Sequence, residues 1–302
     1  MIDIMFVLIR NWIKREKRAK FLVTLKNYQM TSASNLGLDE FYVCAFDVSA
    51  RTTIEDGVGS LDALNLFFDE IELFRGGGVQ KNAIAVDIGA NVGNYALYLS
   101  HKFSEVIAIE AHPHTYRLLK MNCDSRPRIK TLNYAISSKS GGNVKITEVG
   151  KFQSTMAKIE NQMSGDKDRR SFQIERRTLD ALLSKLNKRV GLIKVDVEGH
   201  DLQAIEGATK TIKSHKPIII FEYNAYNPEM LEKLNCLGYS LFLAPTLEVL
   251  SQFKNKSAML SWVSSRPNSI KVFRQLYGTQ SLMKFSNKDL PLAGLVMTFP
   301  DK

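Results

Sequence analysis

The chain has 302 residues, 44% apolar and 24% charged, which excludes a disordered or collagen-like polymer and leaves room for one large α/β domain or two small ones. Its formal net charge of +10 is concentrated at the ends: residues 1–30 hold seven basic side chains against two acidic, and residues 246–302 hold eight against three. Cys44, Cys123 and Cys236 form no C-x-x-C pair, which argues against a zinc ribbon or disulfide framework and fits a reducing cytoplasm.

In chain order, Met1–Ile9 is nearly all apolar and Arg10–Lys20 strongly basic. The apolar run is far shorter than the roughly 20 residues that cross a bilayer. Its charges follow the apolar part, whereas a secretory signal places them before it. Residues 1–40 are therefore expected to form a basic helical segment in front of a single domain over 41–302. Phe6, Ile9, Trp12 and Ile13 suit either peripheral membrane contact or docking on the domain or a second subunit. Phe41–Asp47 reads as a strand and Ser60–Phe74 as a helix, before Gly76-Gly77-Gly78 breaks the chain.

From 83 to 223, strands and helices alternate. Ala83–Asp87, Glu105–Glu110, Ile129–Ile136, Leu192–Val197 and Pro217–Tyr223 read as five strands. Tyr95–Phe103 and His114–Asn122 read as helices, the second opened by Pro113. Leu202, Ile205 and Ile212 share one helical face after the fourth strand. The long excursion Ser137–Gly191 holds a strand-like Val144–Val149 and a helix-like Leu179–Leu186. Tyr239–Leu243 and Leu295–Phe299 are expected to pair as closing strands around a variable basic insert, 246–292. The pattern predicts an α/β fold, a Rossmann-like, doubly wound and mostly parallel sheet with an antiparallel closing strand.

The run Val86-Asp-Ile-Gly-Ala-Asn-Val-Gly-Asn-Tyr95 places Gly89 and Gly93 where the first strand must turn sharply into a helix. Glycine has no Cβ, so it permits both the turn and the close approach of a ligand to the backbone. Glu110 ends the next strand, where an acid can accept the two ribose hydroxyls of an adenosine. A nicotinamide dinucleotide asks for G-x-G-x-x-G, with the pyrophosphate held against the helix start. Here Ala90 follows Gly89 and the spacing is Gly89-x-x-x-Gly93. Together with Asp87, which suits an ammonium or sulfonium, this favours S-adenosylmethionine over a nicotinamide.

The chain resembles the FkbM-type methyltransferases in VDIGANVGNY (86–95), IEAHP (109–113), LNYAIS (132–137), TLDALL (178–183), IKVDVEGHDLQAIEGA (193–208) and IIFEY (219–223). The resemblance implies a class I methyltransferase fold and O-methylation of a sugar, glycan or related small metabolite. It implies that Asp87, Gly89, Asn91 and Gly93 cradle the methionine portion of S-adenosylmethionine. It also implies that Glu110 takes the ribose and that Ala135 and Ile136 border the adenine.

Methyl transfer to a hydroxyl needs alignment of the reactants and a base for the departing proton. Asp196, Glu198 and His200 stand at the carboxyl end of the fourth strand, where open α/β sheets bind ligands. If that strand runs on, alternation puts all three on one side, with Asp196 nearest the methyl and Glu198 or His200 as base or acceptor clamp. Glu198 and Asp201 are also residue types that cap a helix start. The Asp-x-Glu-x-His spacing without further ligands is weak support for a metal, and none is expected. A nucleic-acid methyltransferase is the alternative suggested by the basic ends, Trp262, Arg266, Lys271 and Arg274. The fourth strand lacks an Asn/Asp-Pro-Pro-aromatic base clamp, so nucleic acid is disfavoured as a partner, and a nicotinamide oxidoreductase is disfavoured by Ala90.

Overall fold

The computed structural model describes residues 67–68, 82–147, 158–159, 170–224, 229–245, 282–285 and 293–301. The expected segment 1–40, the strand Phe41–Asp47, nearly all of the helix Ser60–Phe74, and the insert 246–292 apart from 282–285 lie outside these residues.

Five strands form the parallel core: β1 (Ile84–Ile88), β2 (Glu105–Ile109), β3 (Ile129–Leu132), β8 (Val190–Val195) and β9 (Ile218–Asn224). Their apolar runs are buried because helices cover both faces of the sheet. Alternation divides them cleanly. Ile84, Val86, Ile88, Ile193 and Val195 pack with Ile205 and Ile212 from α4 (Asp201–Glu206) and α5 (Thr209–His215), and with Leu231 from α6 (Glu229–Cys236). Ala85, Ala108 and Leu192 face Leu97, Leu99 and Leu119 from α1 (Asn94–Ser100) and α2 (Pro113–Cys123). Small alanines on this side let the helices lie close to the sheet.

The main sheet runs β3-β2-β1-β8-β9-β12-β10-β11, with β10 at Leu241–Pro245, β11 at Leu282–Phe285 and β12 at Ala293–Phe299. The two expected closing strands do pair, antiparallel, with Leu241 opposite Phe299. β12 lies between β9 and β10 and is antiparallel to both, so the doubly wound, mostly parallel sheet with an antiparallel closing strand is the architecture found. Tyr239 lies before the strand rather than in it, and its buried hydroxyl donates to the Pro217 carbonyl at 2.7 Å.

Three expectations change. The strand Ile129–Ile136 is two strands, because Asn133 turns its side-chain amide onto the carbonyls of Glu110 and Ala111 at 2.8 and 3.0 Å. The second half, β4 (Ala135–Ile136), leaves the main sheet and pairs with β7 (Ser171–Arg177). With β5 (Asn143–Thr147) and β6 (Lys158–Ile159) it forms a small sheet β4-β7-β5-β6, so the described parts of the excursion after Ser137 hold a second sheet. The helix Leu179–Leu186 is regular only over α3 (Leu179–Leu182) and continues as a turn. Finally, the helical face Leu202–Ile212 belongs to two helices, α4 and α5. The Ser137 carbonyl presses against Gly207 between them, where any Cβ would overlap it.

The T-L-D-A-L-L segment is a fastening. Thr178 Oγ1 caps α3 by accepting from the Ala181 N–H at 3.1 Å. Asp180 caps α5, accepting from the Lys210 and Thr211 N–H groups at 2.9 and 2.8 Å.

Candidate active site

The sheet order reverses between β1 and β8: the chain goes outward to β2 and β3 on one side and to β9 on the other. Connections leaving the carboxyl ends of β1 and β8 therefore diverge, and a crevice opens between them. The first connection is the turn 89–93. Gly89, Asn91 and Gly93 all have positive φ, 77°, 51° and 103°, which coils the turn tightly. The Gly89 and Ala90 N–H groups both donate to the Ile109 carbonyl, at 2.9 and 3.0 Å. A Cβ on Gly89 would overlap the Asp196 carbonyl oxygen, so the two connections cross in backbone contact at this point.

Glu110, half-buried, is locked to the same turn. Its Oε2 accepts from the Asn91 N–H at 2.9 Å and its Oε1 from the His112 N–H at 2.8 Å. Burial outweighs these two hydrogen bonds and pushes the carboxyl up to about 7. Asp87 is fully buried, and neither carboxylate oxygen has a hydrogen bond; its neighbour is the Lys194 ammonium at 3.4 Å. Burial raises its pKa and the lysine opposes that rise. The buried Asn91 Oδ1 is also without a hydrogen-bond partner. Ala135 and Ile136 are buried on β4, and Ala135 packs in a small cluster with Ala111 beside Glu110. Asp87, Gly89, Asn91, Gly93 and Glu110 are thus brought together at one strand edge, with Ala135 adjoining through Ala111.

The expected row of Asp196, Glu198 and His200 does not form. β8 stops at Val195, and Glu198 and Gly199 take φ of 50° and 89°, so the chain turns rather than alternates. Asp201 holds that turn by accepting from the Val197 and Gly199 N–H groups at 3.0 and 3.2 Å. The helix-start role therefore falls on a carboxylate that fastens the preceding loop. Asp196 remains at the crevice, half-exposed, 3.4 Å from the Lys194 ammonium. His200 is buried and directed to Ser137, with Nε2 and Oγ 3.0 Å apart. Burial, and then the positive charge of Arg176, lower its pKa. Glu198 is exposed.

Lys194 and Glu222 complete the site; Glu222 is legible in the sequence as the acid in the last part of the fifth strand. Lys194 was legible as a lone cation in an apolar strand, two residues before Asp196 and so on the same face. Glu222 is exposed at its outer edge, yet surrounding protein withdraws its carboxyl from water. Asp196, Glu198 and Asp201 add their negative charge, and together these push it up to about 7. A carboxyl raised in the folded state stabilises the fold below its ordinary value of 4.5, and that contribution is lost as pH rises through about 7. Glu222→Gln should therefore gain thermal stability on the parent between pH 5 and pH 8, measured by calorimetric melting. Parallel melting curves across that range would contradict the assignment.

Among the described residues, no group of three or more His, Cys, Asp or Glu side chains could hold a metal ion. Among the same residues, no helix is long and apolar enough to cross a membrane.

Comparison with known proteins adds the family. The chain is 26% identical over 188 residues to the hexuronic acid methyltransferase AglP of Haloferax volcanii, covering 60% of this chain and 70% of that protein. It is 26% identical over 157 residues to the methyltransferase sdnD of Sordaria araneosa, covering 42% of this chain and 61% of that one. Among solved structures, a methyltransferase FkbM from Methylobacillus flagellatus superposes with a TM-score of 0.36 at 18% identity, over 70% of this chain and 54% of that one. The model of the methyltransferase FkbM domain matches residues 87–241, just over half of the chain and all of the crevice described above. The chain belongs to this family, and it is a methyltransferase.

Proposed function

We propose that the protein is an S-adenosylmethionine-dependent O-methyltransferase acting on a hydroxyl of a sugar, glycan or related metabolite. The observation that carries the cofactor is the net negative cluster of Asp87, Lys194 and Asp196 beside the tightly coiled turn 89–93. Such a cluster suits a cationic ligand group, and the methionine ammonium supplies one. Glu110 retains acceptor capacity for the ribose hydroxyls after its two backbone hydrogen bonds. Ala135 and Ile136 have buried side chains, so their backbone edge is the part that borders the adenine. When bound, S-adenosylmethionine supplies an electrophilic methyl on a sulfonium sulfur.

Asp196 is the residue assigned to align the acceptor hydroxyl and take its proton, with Glu222 and Glu198 on the acceptor side. His200 supports them by fixing the turn to Ser137. The carboxylates of Asp196, Glu198, Asp201 and Glu222 all act on one another's side of the crevice. That concentration of negative charge suits a polyhydroxyl acceptor and repels a phosphate backbone, which weighs against nucleic acid. Similarity to a hexuronic acid methyltransferase supports a sugar as the acceptor class. The separated cysteines support a cytoplasmic setting.

Calorimetric titration with S-adenosylhomocysteine, with NAD in parallel, tests the reading. S-adenosylhomocysteine is expected to bind, and Glu110→Ala to weaken it at least about tenfold, since hydrogen bonds to a charged group are lost. Binding of NAD alone would overturn the cofactor assignment; confirmed binding would lead to glycan acceptors as the next screen.

A further inference from the structure

We propose that Lys194 is a positioning residue that keeps the buried Asp87 ionised and ties the cofactor turn to Asp196. This rests on the S-adenosylmethionine reading above.

Burying an ammonium costs several kcal/mol unless partners satisfy it, so a lysine in the middle of a core strand needs a reason. Lys194 is on β8 directly opposite Asp87 of β1, and its side chain is 3% exposed. Its ammonium donates to Gly89 O at 3.1 Å and forms ion pairs with Asp87 Oδ1 and Asp196 Oδ2, each at 3.4 Å. The Tyr95 ring covers the ammonium at 4.5 Å. Gly89 belongs to the turn after β1 and Asp196 to the connection after β8. One ammonium thus joins both walls of the crevice.

The charges give the arrangement its purpose. Two carboxylates and one ammonium leave a single net negative charge. S-adenosylmethionine carries one net positive charge and S-adenosylhomocysteine none, so the cluster matches the cofactor and not the spent product. Without the lysine, the buried Asp87 loses the positive charge that opposes the rise of its pKa, and it takes up a proton more readily. The other titratable groups that face the cluster offer no relief. Glu110 after β2, Glu222 from β9 and Asp201 from α4 are acids, Cys123 from α2 is a buried thiol that feels Asp87, and Tyr95 from α1 is a phenol.

The test is calorimetric binding of S-adenosylmethionine and S-adenosylhomocysteine to the parent, Lys194→Met and Lys194→Arg, from about pH 6 to about pH 8. The parent and Lys194→Arg are expected to bind with nearly constant affinity. Lys194→Met is expected to gain about tenfold across the range and to release a proton on binding, read from buffers of different ionisation enthalpy. A lysine that only filled space would leave pH dependence and proton release unchanged. If Lys194→Met does not fold, the double variant Lys194→Met/Asp196→Asn must recover folding and pH-independent binding. Parallel pH curves for parent and Lys194→Met, or a double variant no better than the single, overturn the role of Lys194 and leave the cofactor assignment standing. A parent that binds neither compound overturns both.

Discussion

Gly89→Ala is expected to abolish cofactor binding, by at least about a hundredfold, and to lower unfolding free energy by about 3 kcal/mol or more. The new Cβ would overlap the Asp196 carbonyl oxygen, and neither strand end can yield. The Gly89 N–H is held by Ile109 O at 2.9 Å, its carbonyl by Lys194 at 3.1 Å, and the Asp196 N–H by Ile88 O at 3.0 Å. Gly238→Ala is the control. It has a similar φ of 85° but open space around the added methyl, so it should cost only about 1 kcal/mol for the left-handed backbone. Melting temperature and S-adenosylhomocysteine affinity, measured on both variants, separate overlap from conformation. Equal losses in the two would mean that the crossing of the two connections is not rigid.

Asp196→Asn is the second large effect. Turnover with a competent acceptor should fall about a thousandfold, the scale of losing a positioned base. Affinity for S-adenosylhomocysteine, which carries no net charge, should stay within about threefold, because the Asp87–Lys194 pair remains in place. Asn keeps the size of the side chain and loses its charge and basicity, so a fall in kcat at saturating S-adenosylmethionine reads the proton-accepting role directly. A variant with parental turnover would move that role to Glu222, whose raised carboxyl is already tuned close to neutrality.

Much of this site was readable from the chain because it lies where local and long-range signals coincide. The D-x-G-x-x-x-G turn and the acid ending β2 each follow a five-residue apolar strand, and the structure ties them together through the Asn91 N–H and Glu110. Reading failed where tertiary contacts override periodicity. Ile129–Ile136 looks like one strand, but Asn133 bends it by bonding two carbonyls of a loop more than twenty residues away. β7 was hidden because its open side carries the polar Ser171, Gln173 and Glu175 and Ile174 is its one buried residue. The row Asp196–Glu198–His200 assumed that β8 continues; the positive φ at Glu198 and Gly199, secured by Asp201, is a backbone choice that alternation does not reveal. Lys194 was passed over because a lone cation on an apolar strand gains its meaning only from the facing strand.

The placement of β12 has a consequence for biogenesis. This strand is the last of the main sheet to be synthesised, yet it lies inside it, with its Val296–Thr298 stretch buried and β9 and β10 as its two neighbours. Until it emerges from the ribosome, β9 and β10 each present an unpaired edge, and the crevice wall carrying Glu222 has no outer support. The amino-terminal half of the sheet, β1 to β3, can meanwhile dock on α1 and α2 through contacts close in sequence. Synthesis is thus expected to yield a nucleated but open half-sheet that is vulnerable to sticking to other nascent chains, with closure coming as a late, long-range step.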